Sequence, residues 1–169
     1  MAWIERGLLN RLKKQNPRQF GWLHDAAGAS PGIFWKLLFF FPLAGHRRAA
    51  SRALITMARL GALRAQDCGD CLQVAVDYAL KDGIPADRIQ AALRNANSLP
   101  PGERLALDYG QAVAGSWPDL AARVEAVRRE FGEAVLAELA FAVATASLFP
   151  LAKRGLGVAA ACDLDAIRV

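Results

Sequence analysis

Two thiols spaced as Cys68-Gly69-Asp70-Cys71, directly after Asp67, are the residues of this chain whose types and spacing point most plainly to chemistry. Side chains three residues apart share one helix face, so the pair reads as a redox dithiol. Asp67 is expected to cap a helix that begins at Cys68, with Asp70 three residues on in an arrangement close to a capping box. Unpaired N–H groups in that first turn would stabilise a thiolate, the species that attacks peroxides and disulfides. Asp67 and Asp70 act the other way, because negative charge beside a thiol raises its pKa. Arg64 is the nearest residue to offset them.

Thiol chemistry also needs a proton carrier. Glu138 stands alone in the apolar stretch Ala134 to Ala152, where burial would raise its pKa towards the range useful in a relay. The same position also reads as an ion-pair partner for an arginine across a subunit contact. Asp77 falls nearly opposite the sulfurs on a helical wheel and reads as a solvated charge. Tyr78 falls on the face of Cys71, but an unperturbed phenol is a poor base. His24 and His46 are distant in sequence. Cys162 admits three readings: an inert packed residue, a third thiol that exchanges with the dithiol, or the completion of a Cys₃His zinc site. With no second CxxC and no HxxxH, neither a metal nor an organic cofactor is expected.

The elements that must hold these residues follow from composition and periodicity. A chain of 169 residues, 54% apolar and 22% charged, is long enough for one domain with a real core, and a single domain over 1–169 is expected. The net charge is +5 and the sequence pI about 9.5, but the basic residues are dispersed and do not alternate with aromatics, which argues against nucleic-acid binding. Residues Trp3 to Lys14 place Ile4, Leu8, Leu9 and Leu12 on one stripe among Arg6, Arg11, Lys13 and Lys14. This arm, residues 1–15, reads either as a membrane-surface anchor or as a helix packing on its own domain or a neighbouring subunit.

Three cysteines without a charged-then-apolar leader imply a reducing, cytoplasmic setting. The Phe-rich stretch Ile33 to Ala44 is too short to span a membrane, and Pro42 is expected to end it. Ala134 to Ala152 is long enough, but Glu138 would be costly in hydrocarbon, so a buried helix or an oligomer contact is expected. Helical periodicity also covers Phe20 to Ala27, His46 to Ala65, Cys68 to Lys81, Ala86 to Arg94, Glu103 to Ala114, Leu120 to Phe131, and Glu133 to Phe149, where Pro150 should kink or stop the chain. No strand alternation is visible. The fold class is therefore all-α, a bundle of about seven to nine helices.

A long helix, then Cys-x-x-Cys at the start of the next, then Ala79-x-x-x-Gly83 and a helix opened by Pro85, resembles the alkyl hydroperoxidase D-like, or carboxymuconolactone decarboxylase-like, superfamily. The likeness is best from Arg47 to Arg94. The run from Phe149 to Gly157, with Cys162 beyond, looks like a bacterial subgroup of that superfamily. The resemblance implies an all-α homo-oligomer in which Cys71 attacks and Cys68 resolves. It also implies a relay through a Glu twelve residues before the first Cys and a His four residues after the second. Those positions hold Thr56 and Ala75 here, and neither does acid–base work at neutral pH.

The expected function is a thiol–disulfide redox enzyme acting on a peroxide or disulfide, with an external thiol donor and no cofactor. The alternative is a non-catalytic helical oligomer. It would have lost the relay and would bind a partner or a membrane surface through the basic arm and the Phe-rich segment.

Overall fold

A 3.6-residue period without strand alternation becomes helix throughout the computed structural model. It is 78% helix, with nine α-helices and no strand among the described residues. Residues 2–15, 17–30, 32–159 and 161–169 are described, and the side chains of 2–6, 18, 19, 38 and 41–43 are not. The helices are α1 (Ala2–Gln15), α2 (Pro17–Ala29), α3 (Ile33–Ala44), α4 (Arg52–Ala65), α5 (Gly69–Lys81), α6 (Ala86–Arg94), α7 (Pro101–Gly115), α8 (Leu120–Phe131) and α9 (Glu133–Gly155).

The chain divides into two compact units, Met1–Gly45 and His46–Val169, where its length alone led us to expect one domain with an N-terminal arm. In the first unit α1 packs on α2 and α2 on α3 around Leu9, Leu23, Ala27 and Phe34. Leu8, Leu9 and Leu12 of the amphipathic stripe are used inside this unit. The side chains of Ile4 and Arg6 lie outside the described residues. Helix α3 continues through Pro42 to Ala44 and leaves Phe39 72% exposed.

The second unit is built around α4, which packs on α5, α6, α7 and α9. Its closest partner is α7, and small residues explain why. A methyl group on Gly61 would fall well inside contact distance of the Leu107 carbonyl, and one on Gly110 would do the same to the Ala58 carbonyl. The two missing side chains let the backbones touch, burying Met57, Leu60, Ala106 and Leu107 between them.

Helix α4 begins at Arg52, six residues later than the periodicity predicts. Ser51 is its cap, with the Oγ accepting from Leu54 N–H at 3.2 Å. The amides of Arg48, Ala49 and Ala50 bond to Glu138 rather than to helical carbonyls. At the other end of the unit, α9 does not stop at Pro150. Proline removes one intrahelical bond, yet the helix runs on to Gly155, with Pro150 and Lys153 both buried.

Helix α9 is long and apolar enough to cross a membrane by length and composition. Half of its apolar window is buried, and it packs on α4, α7 and α8, with Val135, Leu139, Ala142 and Val143 among its buried residues. That is the burial expected of the segment around Glu138.

The α4–α7 contact makes a direct prediction. Gly110→Ala should destabilise the second unit by about 1–3 kcal/mol, the usual range for overpacking a core, read as a lower urea midpoint with unchanged slope. An unchanged midpoint would mean that the helices separate freely.

Candidate functional site

The dithiol lies where α4 hands over to α5. Gln66 ends α4, and Asp67 turns the chain with φ 51°, a left-handed conformation that Asp tolerates better than most residues. Asp67 is therefore not the helix cap expected of it. Cys68 takes the N-cap position with an extended backbone, and α5 starts at Gly69. No side chain caps this end, so the N–H groups of Gly69, Asp70 and Cys71 have no acceptor within the helix. The Cys68 and Cys71 sulfurs are bonded to each other across a Cα separation of 5.3 Å. Both residues belong to the core: Cys68 is 1% exposed and Cys71 9%.

The charges around the pair are arranged differently from the sequence expectation. Asp70 faces the buried Lys153 Nζ at 3.4 Å. Asp67 Oδ1 accepts the Cys162 N–H at 2.9 Å. Each carboxylate expected to oppose a thiolate thus has its own donor, and a cation neutralises Asp70. Arg64 is occupied elsewhere, donating to the Ala92 carbonyl at 2.5 Å. Beside Lys153, Arg154 donates to the Gln66 carbonyl at 2.6 Å. The last turn of α9 therefore grips the turn that carries the dithiol.

The C-terminal tail closes the other side. Gln73 and Arg168 exchange two hydrogen bonds, Nε2 donating to the Arg168 carbonyl at 2.9 Å and the Arg168 N–H donating to Oε1 at 2.8 Å. Ile167 is buried in the core. So anchored, the tail crosses Gly69 closely enough that a Cβ there would sit 2.9 Å from the Ala161 carbonyl oxygen and 3.4 Å from Cys162 Cα. Cys162 is a free, half-buried thiol. It lines a cleft of about 270 Å³ with Arg64, Asp67, Gln111, Trp117 and Leu164. Burial pushes its pKa above the ordinary 9.0, and Asp67 adds to the shift against Arg64.

Glu138 is not part of this site. Its carboxylate accepts N–H groups from Arg48 (2.8 Å), Ala49 (2.9 and 3.1 Å) and Ala50 (2.8 Å), with His46 Nε2 3.9 Å away. The amides of Ala50 and Ala49 hold its pKa below 4.5, outweighing the burial that was expected to raise it. Glu138 and Lys153 are fifteen residues apart on one helix, which is about 22 Å along the axis. Instead of serving as a proton relay beside Cys71, Glu138 organises the backbone that leads into α4.

The remaining candidates have partners of their own. Asp77 accepts from Gln73 Nε2 at 2.9 Å. Tyr78 is about half exposed, with Lys81 Nζ 5.6 Å from its ring centre. His24 lies in the first unit beside Asp25. Among the described residues no three His, Cys, Asp or Glu side chains are grouped to hold a metal. Sequence reasoning missed Lys153, Arg154 and Gln73 as positioning residues. The signal for the first two was a pair of cations closing an otherwise apolar helix. Comparison of the chain with protein-family models, curated proteins and solved structures finds no match.

Two pH dependences follow. The depressed Glu138 pKa contributes stability that is fully present above about 4.5 and is lost as pH falls through the folded-state value. Denaturation of wild type and Glu138→Gln should therefore show a gap at pH 7 that narrows on acidification below 4.5. A gap independent of pH would contradict this role. For Cys162, the iodoacetamide rate should rise with pH to a midpoint above 9.0, whereas a midpoint below that value would mean that a cation dominates the thiol.

Proposed function

We propose that this protein is a thiol–disulfide redox enzyme of the alkyl hydroperoxidase D-like type, with Cys68 and Cys71 as its working dithiol. The observation that carries the reading is the pair itself: two cysteines at the uncapped mouth of α5, within bonding reach, their flanking carboxylates each engaged by a donor.

In the reduced protein the Cys71 sulfur lies inside the first turn, where the amides of α5 favour its thiolate. Its attack on the terminal oxygen of a hydroperoxide breaks the O–O bond, releases an alcohol and leaves a sulfenic acid on Cys71. Cys68 then displaces water from that sulfenic acid and closes the disulfide. Two external thiols restore the dithiol and leave as their own disulfide. A disulfide substrate would enter at the same sulfur through a mixed disulfide. Cys71 is the more exposed of the two, which supports it as the attacking residue. With Glu138 engaged elsewhere and Thr56 and Ala75 unable to carry protons, protons move through solvent, and the enzyme is slow.

The second reading, a non-catalytic helical protein whose Cys68–Cys71 bond is a structural staple, is favoured by the burial of both sulfurs. One assay separates the two. With cumene hydroperoxide as substrate and dithiothreitol as donor, wild type should consume peroxide catalytically. Cys71→Ser should fall to the protein-free rate, and Cys68→Ser should retain a single stoichiometric reaction. Wild-type consumption no faster than that of the double variant would overturn the enzyme reading in favour of the staple.

A further inference from the structure

We propose that Cys162 is a third redox thiol, which carries electrons from a small thiol in the cleft of Arg64, Gln111 and Trp117 to the buried Cys68–Cys71 bond. The inference rests on the redox reading of the dithiol and adds its reductive half: where the donor enters and which sulfur it meets first.

Three observations converge on it. First, a donor must reach a disulfide of which Cys68 is 1% and Cys71 9% exposed, while Cys162 is half-buried and lines an opening of about 270 Å³. That volume lies near the lower end for small-molecule sites, which suits a monothiol of a few heavy atoms. Second, the residues on both sides of Cys68 hold the main chain at Cys162. Asp67 accepts its N–H at 2.9 Å, and Gly69 is packed so closely that a side chain there would meet Ala161 and Cys162. Third, this placement is built rather than incidental. The tail is fixed further on by the Gln73–Arg168 pair and by Arg94 Nη1 donating to Asp165 Oδ1 at 2.8 Å. Gly69 is the residue in the Cys-x-x-Cys motif that leaves room for it.

The chemistry is two successive exchanges. The Cys162 thiolate attacks Cys68, the Cys68–Cys71 bond breaks, and its electron pair leaves on Cys71, the thiolate best placed for the amides of the first turn. A bond between Cys68 and Cys162 has formed, and the number of disulfides is unchanged. A small thiol RSH then attacks Cys162 as RS⁻ and frees Cys68. A second RSH displaces Cys162 from that mixed disulfide and departs as RSSR. Two RSH are oxidised, one protein disulfide is reduced, and the two protons end on Cys68 and Cys71. The groups facing Cys162 are Asp67, Asp163 and Arg64. A basic thiol is scarce as thiolate but strongly nucleophilic once ionised, so the exchange should accelerate with pH.

The intermediate can be trapped. Cys71→Ser, oxidised with diamide as the two-electron acceptor, should form a Cys68–Cys162 bond. In a non-reducing tryptic digest this joins the peptide of residues 65–81 to that of residues 155–168. Cys162 remaining fully alkylatable by iodoacetamide in a variant of native helicity would overturn the proposal. A second measurement covers a variant that fails to fold. Cys162→Ser should slow reduction of the Cys68–Cys71 bond by 2-mercaptoethanol at least tenfold, and an unchanged rate would overturn the relay. Neither readout requires peroxide turnover. A trapped bond without turnover would sink the enzyme reading alone, and turnover without the trapped bond would sink the relay alone.

Discussion

One helix holds both ends of another. Glu138 gathers the amides of Arg48, Ala49 and Ala50 just before α4, and Arg154 takes the Gln66 carbonyl just after it. The sixteen-residue step from Glu138 to Arg154 spans about 24 Å, and the fourteen residues of α4 about 21 Å. The two helices therefore run parallel and nearly in register, with an anion at the end where α4 presents free N–H groups and a cation at the end where it presents free carbonyls. Each charge meets the half of the helix dipole it complements. The reciprocal glycines that seat α4 on α7 then fix its remaining freedom.

The dithiol inherits its place from this arrangement. It follows α4 at the pinned carboxyl end, where the cations that close α9 reach both the Gln66 carbonyl and Asp70. The same geometry separates acid from sulfur. A carboxylate used to organise the start of α4 cannot also serve the far end, and its amide cage keeps it ionised at the pH where a relay must carry a proton. The buried acid and the buried thiols are two features of one scaffold, not two parts of one site.

Much of this was legible in the sequence. Periodicity and breakers located the helices, because an apolar stripe at helical spacing has few other uses. Ala86–Arg94 was placed to the residue. The errors share a cause. His46 to Ser51 carries helical periodicity, but the amides of Arg48, Ala49 and Ala50 within it donate to a side chain some ninety positions away, and no local pattern reports a partner so remote. Asp67 has the identity of a cap, yet its carboxylate turns to the tail. Pro150 reads as a stop, but its helix is held on both sides of the break by tertiary contacts, which outweigh one missing bond. The CxxC was visible at once. That Cys162 returns to it was not, since only the tail's anchors bring it back.

The redox proposal stands only if the Cys68–Cys71 bond is made and broken in use, not left closed as a staple. The most direct measurement is its reduction potential, obtained by equilibrating the protein in dithiothreitol and glutathione buffers and counting free thiols by mass. Structural disulfides lie below about −300 mV, and working ones lie above. A working dithiol should show one reversible two-electron transition above that value. A bond that stays oxidised until well below it would contradict the claim.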